Sequence, residues 1–317
     1  GGVGGEGLVG AEMVFDVDIL AAARVVETLS SFVFAEDIEL EEVSEKTHRF
    51  AVHGPAAARL VAENSEPLAD HAEAPGVADI ADGRSTVVSI AGRAVLVDRR
   101  DQAGEIGLHL LCEVGDAEAV FDVLAQHARD EFGHHNDPAT DAYKLRHGGW
   151  AAFNVARIEA GTPLFRVDFS TTNLPSETGL LEERVSFTKG CYLGQEVVAR
   201  MKSLGHPKQT LAGLRVEGIE GGDGVASRDE VQARMPESGA AVFPVDPEDG
   251  ERTPADEAKP IGAVTSVTQS PMLGGATVAF AQLKWGHERA GNELWVRTPA
   301  GYGKARVAEG LVFWGRE

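Results

Sequence analysis

The period of the apolar residues changes once along this chain, and that change limits the folds open to it. Beyond Gly205, residues 210–216, 240–245, 261–268, 276–283, 293–298 and 304–314 form short alternating segments separated by turn residues. Alternation with period two, broken at regular intervals, predicts a small all-β barrel or sandwich. Ahead of Gly205 the periods are mixed. The spacing of Ile19, Leu20, Ala23, Val26 and Leu29 predicts a helix over residues 18–30, capped by Asp16 or Asp18. Short strands are expected at 38–43 and 50–53. Gly54-Pro55 then opens a helix through Ala62, with Pro at the first helical position. Residues 63–83 read as a polar surface excursion, 87–97 as a hairpin about Gly92-Arg93, and 106–114 as a strand. Asp116 caps a helix ending near Gly133. A further helical pattern over 140–160 is interrupted at Gly148-Gly149 and closed by Gly161. Strands followed by helices predict an antiparallel sheet covered on one side, an α+β layer arrangement. The predicted organisation is a partial N-terminal lobe over 1–47, an α+β core over 48–204 and a β-barrel over 205–317.

Charge removes several classes of function. Asp plus Glu number 50 against 29 Lys plus Arg, a formal charge of −21. Such a chain lacks the basic surface that nucleic acid or an anionic membrane requires. Only 8 of the basic residues are Lys and 21 are Arg. A carboxylate-rich, Lys-poor surface suits a salt-saturated cytoplasm, where a Debye length of about 3 Å at 1 M salt screens self-repulsion. Cys112 and Cys191 lie too far apart in sequence for a metal knuckle and fit a reducing interior. The uncharged run 260–283 contains Gly262, Pro271, Gly274 and Gly275, and reads as two strands and a turn, not a membrane span. The Gly-rich start without Met reads as a trimmed or tagged terminus.

Common catalytic signatures are absent: no Walker loop, no Gly-x-Gly-x-x-Gly between strand and helix, no Gly-x-Ser-x-Gly elbow and no His-Glu-x-x-His. The His134-His135 pair diverges in a polar loop without a nearby Cys and predicts no metal, and His206 before Pro207 reads as a loop residue. The stretch Thr188-Lys189-Gly190-Cys191-Tyr192-Leu193-Gly194-Gln195-Glu196 places a Cys on a tight turn leading into a helix. A helix N-terminus and nearby Lys189 favour thiolate there, although a packed turn Cys satisfies the same pattern. In Ala156-Arg157-Ile158-Glu159-Ala160-Gly161 a carboxylate stands near a helix end. It could accept paired N–H groups from a planar heterocycle, or pair with Arg157.

Taken together, these runs and Leu174-Pro175-Ser176-Glu177 resemble the folate-binding YgfZ proteins, relatives of the glycine-cleavage T-protein, the aminomethyltransferase. The resemblance continues in His53-Gly54-Pro55-Ala56-Ala57, in Ala103-Gly104-Glu105-Ile106-Gly107, and in Gly262-Ala263-Val264-Thr265-Ser266 with Ser270-Pro271. It implies a multi-lobed T-protein-like folate-binding fold, with ferredoxin-like α+β layers around a central hole and a C-terminal β-barrel. Tetrahydrofolate is the implied ligand. Glu159 would hold the pterin edge, with Arg157, Tyr192 and Gln195 as further binding residues and Cys191 with Lys189 as the catalytic pair. Two departures weaken transfer chemistry more than binding. The family's longer leading segment, including the loop that carries a catalytic Asp, is reduced here to a Gly-rich start and one helix. A Gly-Tyr-Thr-Gly-Glu run is also reduced to Asp101-Gln102-Ala103-Gly104-Glu105, losing the Tyr. The resemblance therefore favours a tetrahydrofolate-binding accessory protein for iron–sulfur cluster assembly or repair, with client proteins as partners. The alternative is an aminomethyltransferase served by a lipoyl carrier protein, and the third reading is a silent binding module.

Overall fold

The computed structural model describes residues 13–71, 73–132, 145–217, 228–246, 248–255 and 257–314. The Gly-rich start, the His134-His135 pair and residues 140–144 of the expected 140–160 helix lie outside them. Helix α1, Ile19–Ser30, is capped by Asp18, whose carboxylate accepts the N–H of Leu20 at 3.0 Å. Residues 38–43 do not form the expected strand. They run without a ladder partner, because the edge strand β1, Thr47–His53, pairs only with β5, Gly107–Glu113. Helix α2, Ala57–Glu63, starts two residues after Pro55, with Ala56 as its cap, so Pro55 precedes the first turn instead of occupying it. Strand β2 is Ser65–Pro67, and β3, Ser85–Ile90, turns into β4, Arg93–Arg99. The turn is centred on Ala91 and Gly92, both at positive φ (53° and 72°), one residue earlier than expected. Two left-handed central residues match the twist of an antiparallel pair.

The sheet order is β1-β5-β4-β3-β2, all antiparallel. Helix α3, Ala117–Phe132, and α2 cover one face, closing a core that includes Leu60, Val61, Val88, Val97, Leu110 and Val120. Alternation sends Arg49, Ala51 and His53 of β1, Asp98 of β4, and His109 and Leu111 of β5 to the opposite face.

Helix α4, Trp150–Glu159, is shorter than the expected 140–160 segment, and residues 145–149 before it are not helical. Gly161 beyond its end has φ +77°, and a Cβ there would lie 2.7 Å from Val312, so both turn and packing require glycine. Two short helices follow, α5 (Leu181–Arg184) and α6 (Gln195–Leu204). The barrel comprises β6 (Gln209–Val216), β7 (Ala241–Pro244), β8 (Gly262–Ser270), β9 (Ala276–Lys284), β10 (Glu293–Thr298) and β11 (Gly301–Val307), with α7 (Arg228–Arg234) between β6 and β7. It closes in the order β10-β11-β6-β9-β8-β7 around Leu214, Val242, Val264, Ala279, Leu283 and Val296. The final strand ends at Val307, short of the expected 304–314, because the chain leaves the barrel to reach α4. Among the described residues no helix is long and apolar enough to cross a membrane.

Candidate functional site

The sequence-predicted residues separate into two places. Arg157 and Glu159 lie at the joint between α4 and the barrel. Arg157 is fully buried, and each guanidinium nitrogen is engaged: Nε and Nη2 donate to Asn154 Oδ1, Nη2 also to Ser266 Oγ, and Nη1 to Asp168 Oδ2 at 2.5 Å and to the Thr162 carbonyl. Asp168 is completed by the N–H of Leu164 (2.9 Å) and the hydroxyls of Thr265 (2.7 Å) and Ser266 (2.6 Å). Consecutive strand residues ordinarily face opposite ways. The bulge in β8 between Val264 and Ser266 lets both hydroxyls reach one carboxylate.

Glu159, 5% exposed, accepts Ser270 Oγ–H (2.5 Å) and the Met272 N–H (3.2 Å) on Oε1, while its carbonyl accepts the N–H groups of Phe313 and Trp314. Glu177 closes its own turn by accepting from Asn173 and Leu174, and Gln282 of β9 donates to its carbonyl and to that of Asp168. The Arg-Ile-Glu-Ala-Gly, Leu-Pro-Ser-Glu, Val-Thr-Ser and Ser-Pro runs thus interlock α4 with the barrel. Arg157 keeps no surface for a ligand, and one Glu159 oxygen is already taken.

Lys189, Cys191 and Tyr192 sit elsewhere, on the loop before α6, and Gln195 is the first residue of that helix. Gly194 (φ +80°) turns the chain into that helix, and Gln195 Oε1 accepts the Tyr192 N–H at 3.2 Å. The Lys189 ammonium lies 5.0 Å from the centre of the Tyr192 ring, and Cys191 is exposed as a free thiol. This loop belongs to the surface, apart from the joint.

The open face of the five-stranded sheet holds a site that motif reading passed over. Between this face, residues 13–17, α1 and residues 39–44 lies a cavity of about 810 Å³, lined in part by Arg49, Asp98, Arg100 and His109. That volume falls within the range of small-molecule sites. His109 meets His53 edge-on, with ring centres 6.0 Å apart at 88°. Phe153 lies 5.5 Å from His53, and the 60% exposed Trp150 lies 6.0 Å from Phe153. Each imidazole has its Nδ1 shut away from solvent without a hydrogen-bond partner. Burial lowers the pKa of both rings below the usual imidazole value, against an opposing pull from Asp101 on His53 and from Asp16 and Asp98 on His109. Asp101 is held by Arg99 through both carboxylate oxygens (3.1 and 2.8 Å) and accepts the Gly107 N–H. Gly107 must be glycine: a Cβ would lie 2.7 Å from His53 Nδ1 and strike the Arg100 carbonyl. The available signal was His109 between Leu108 and Leu110, a polar residue on the second face of an apolar strand. Its partner His53 becomes visible only once β1 and β5 are paired. Among the described residues no three His, Cys, Asp or Glu side chains gather as a metal site.

A family profile described as the GCVT N-terminal domain matches residues 12–189, more than half of the chain. The chain belongs to the GCVT family. It is 31% identical over 239 residues to an aminomethyltransferase of Geobacillus kaustophilus (strain HTA426), covering 75% of this chain and 52% of that protein. It is 30% identical over 259 residues to an aminomethyltransferase of Corynebacterium jeikeium (strain K411), covering 79% and 57%. The chain therefore spans little more than half the length of these curated relatives. The crystal structure of the glycine cleavage system aminomethyltransferase T from Bartonella henselae superposes with a TM-score of 0.65 at 20% identity, over 93% of this chain and 67% of that one. The two share a fold, which in this chain is α+β with a closed six-stranded C-terminal barrel. The imidazole pair and the joint residues Arg157 and Glu159 lie inside the family-matched segment, and Cys191 falls just beyond it.

Proposed function

We propose that this chain binds tetrahydrofolate and serves one-carbon transfer of the aminomethyltransferase kind. The observation that carries the reading is the cavity on the open sheet face, lined in part by His109, whose ring meets His53 and through it Phe153, and built within the family-matched segment. A pterin is a planar heterocycle with a polar edge. Aromatic faces beside imidazoles fit such a ring, and Arg49 and Arg100 at the cavity wall fit the carboxylates of its tail. Tetrahydrofolate would supply the acceptor nitrogen for the one-carbon unit. The contribution of this chain is to orient the ring and exclude water around it.

The test is a transfer assay with tetrahydrofolate and an aminomethylated lipoyl carrier protein, with folate binding read in parallel. It is run in about 2 M KCl, where so acidic a fold is screened. Turnover supports the reading, whereas absence of both binding and turnover overturns it. A YgfZ-type accessory role in iron–sulfur maintenance, in a high-salt cytoplasm, is the second reading, supported by the exposed Cys191 thiol. One thiol cannot hold a cluster alone, so a client protein would complete the ligand set. Binding without turnover, together with loss of cluster-enzyme activity in cells on Cys191→Ala, would favour it.

A further inference from the structure

We propose that His109 is a neutral hydrogen-bond donor that presents Nε2–H to a carbonyl-type acceptor on the ligand, and so sets which heterocycles the cavity admits. The identity of the ligand rests on the folate reading above, while the donor assignment rests on the geometry of the ring. His109 lines the cavity, yet its Nδ1 and that of His53 are buried without a hydrogen-bond partner in the protein. An imidazolium carries N–H on both nitrogens. In either ring it would strand a buried N–H, the kind of orphan that folded proteins avoid more strictly than an unfilled acceptor. The neutral tautomer with a bare Nδ1 and a proton on Nε2 strands only an acceptor. Contact with a ligand is then left to Nε2–H, because Nδ1 is enclosed.

The surroundings agree. His109 is faced by Arg49 from β1, Asp98 from β4, Asp16 from the segment before α1, and His53, 6.0 Å away. Arg49 also pairs with Asp16, which spends part of that carboxylate's charge away from the ring. A second proton in the pair would meet the first across a low-dielectric contact. The ring is therefore a poor general base and a stable donor. The ligand group it selects is an oxygen acceptor such as a ring carbonyl, and an amino group at the same place would set donor against donor.

Nitrogen-detected NMR of the imidazoles in the whole protein reads the tautomer directly. The expected spectrum has protonated Nε2 and bare Nδ1 for His109 from about pH 8 to about pH 6.5, with Nε2 shifting on addition of tetrahydrofolate. Affinity is then compared between tetrahydrofolate and its analogue carrying an amino group in place of the ring carbonyl. The analogue is expected to bind at least about tenfold more weakly to the wild type, and His109→Gln, whose amide offers both a donor and an acceptor, is expected to narrow that difference. His109→Glu, which offers only an acceptor, is expected to reverse the preference. A charged His109 at neutral pH, an Nδ1–H tautomer, or equal affinity for the two compounds overturns the proposal. If tetrahydrofolate binds nowhere, the folate reading falls and the tautomer alone decides the donor.

Discussion

At the residue scale, the least replaceable groups are buried and charged. Arg157 and Asp168 are both shut from solvent, and together they satisfy each other's charge with the help of Asn154, Ser266 and Thr265. Removing one member leaves an uncompensated buried charge. Arg157→Ala is expected to cost about 3–5 kcal/mol in denaturant-induced unfolding. The imidazole pair gives a pH signature. His53 and His109 both titrate below the ordinary imidazole value of 6.5 in the folded protein, because burial penalises the charged ring. As pH falls below 6.5 the unfolded chain takes up protons that the folded chain refuses, so stability declines through that window and is unaffected above it. A His53→Gln/His109→Gln variant is expected to lose much of this acid-side slope in unfolding midpoints measured across the window. An unchanged slope would place its origin in other groups.

At the element scale, α4 acts as a bolt between sheet and barrel. Its last residue, Glu159, bonds through its side chain to the end of β8 and the turn after it, and through its carbonyl to the chain beyond β11. Glu159→Ala would leave the Ser270 hydroxyl and the Met272 N–H without their acceptor, a loss of about 1–3 kcal/mol. Glu159→Gln retains an acceptor oxygen and should recover most of it. If Glu159 also held a pterin, Glu159→Gln would lower tetrahydrofolate affinity while leaving the unfolding midpoint near wild type. A purely structural joint predicts that affinity and midpoint move together. The bulge in β8 belongs to the same scale. Deleting Thr265 would restore strict alternation and remove one of the two hydroxyls that hold Asp168.

At the scale of the whole molecule, −21 charges repel one another in dilute buffer. Exposed ion pairs such as Lys202 with Glu182 offset this only slightly, since each contributes about 0–1 kcal/mol. The thermal midpoint is therefore expected to rise steeply as KCl is raised from about 0.1 M to about 2 M, where the Debye length shrinks from about 10 Å to a few ångströms. A midpoint insensitive to KCl would show that the acidic surface does not limit stability.

The barrel was legible because period two along short strands is a local property. The α1 cap, the β3–β4 hairpin and the glycine after α4 were legible for the same reason: a side chain or a φ angle acts within a few residues. The expected strand at 38–43 failed because a strand exists only with a neighbour to bond, and β1 spends its pairing on β5. The motif runs were visible, but their work was not. Arg157, Asp168 and Ser266 are separated by as many as 109 positions, and only closure of the barrel against α4 brings them into contact. The chain order determined which residues alternate, cap and turn. Tertiary structure alone decided that the motif carboxylate Glu159 bonds across the joint between α4 and the barrel, and that His53 and His109 meet across paired strands beside a cavity, because burial and proximity arise only between segments distant in sequence.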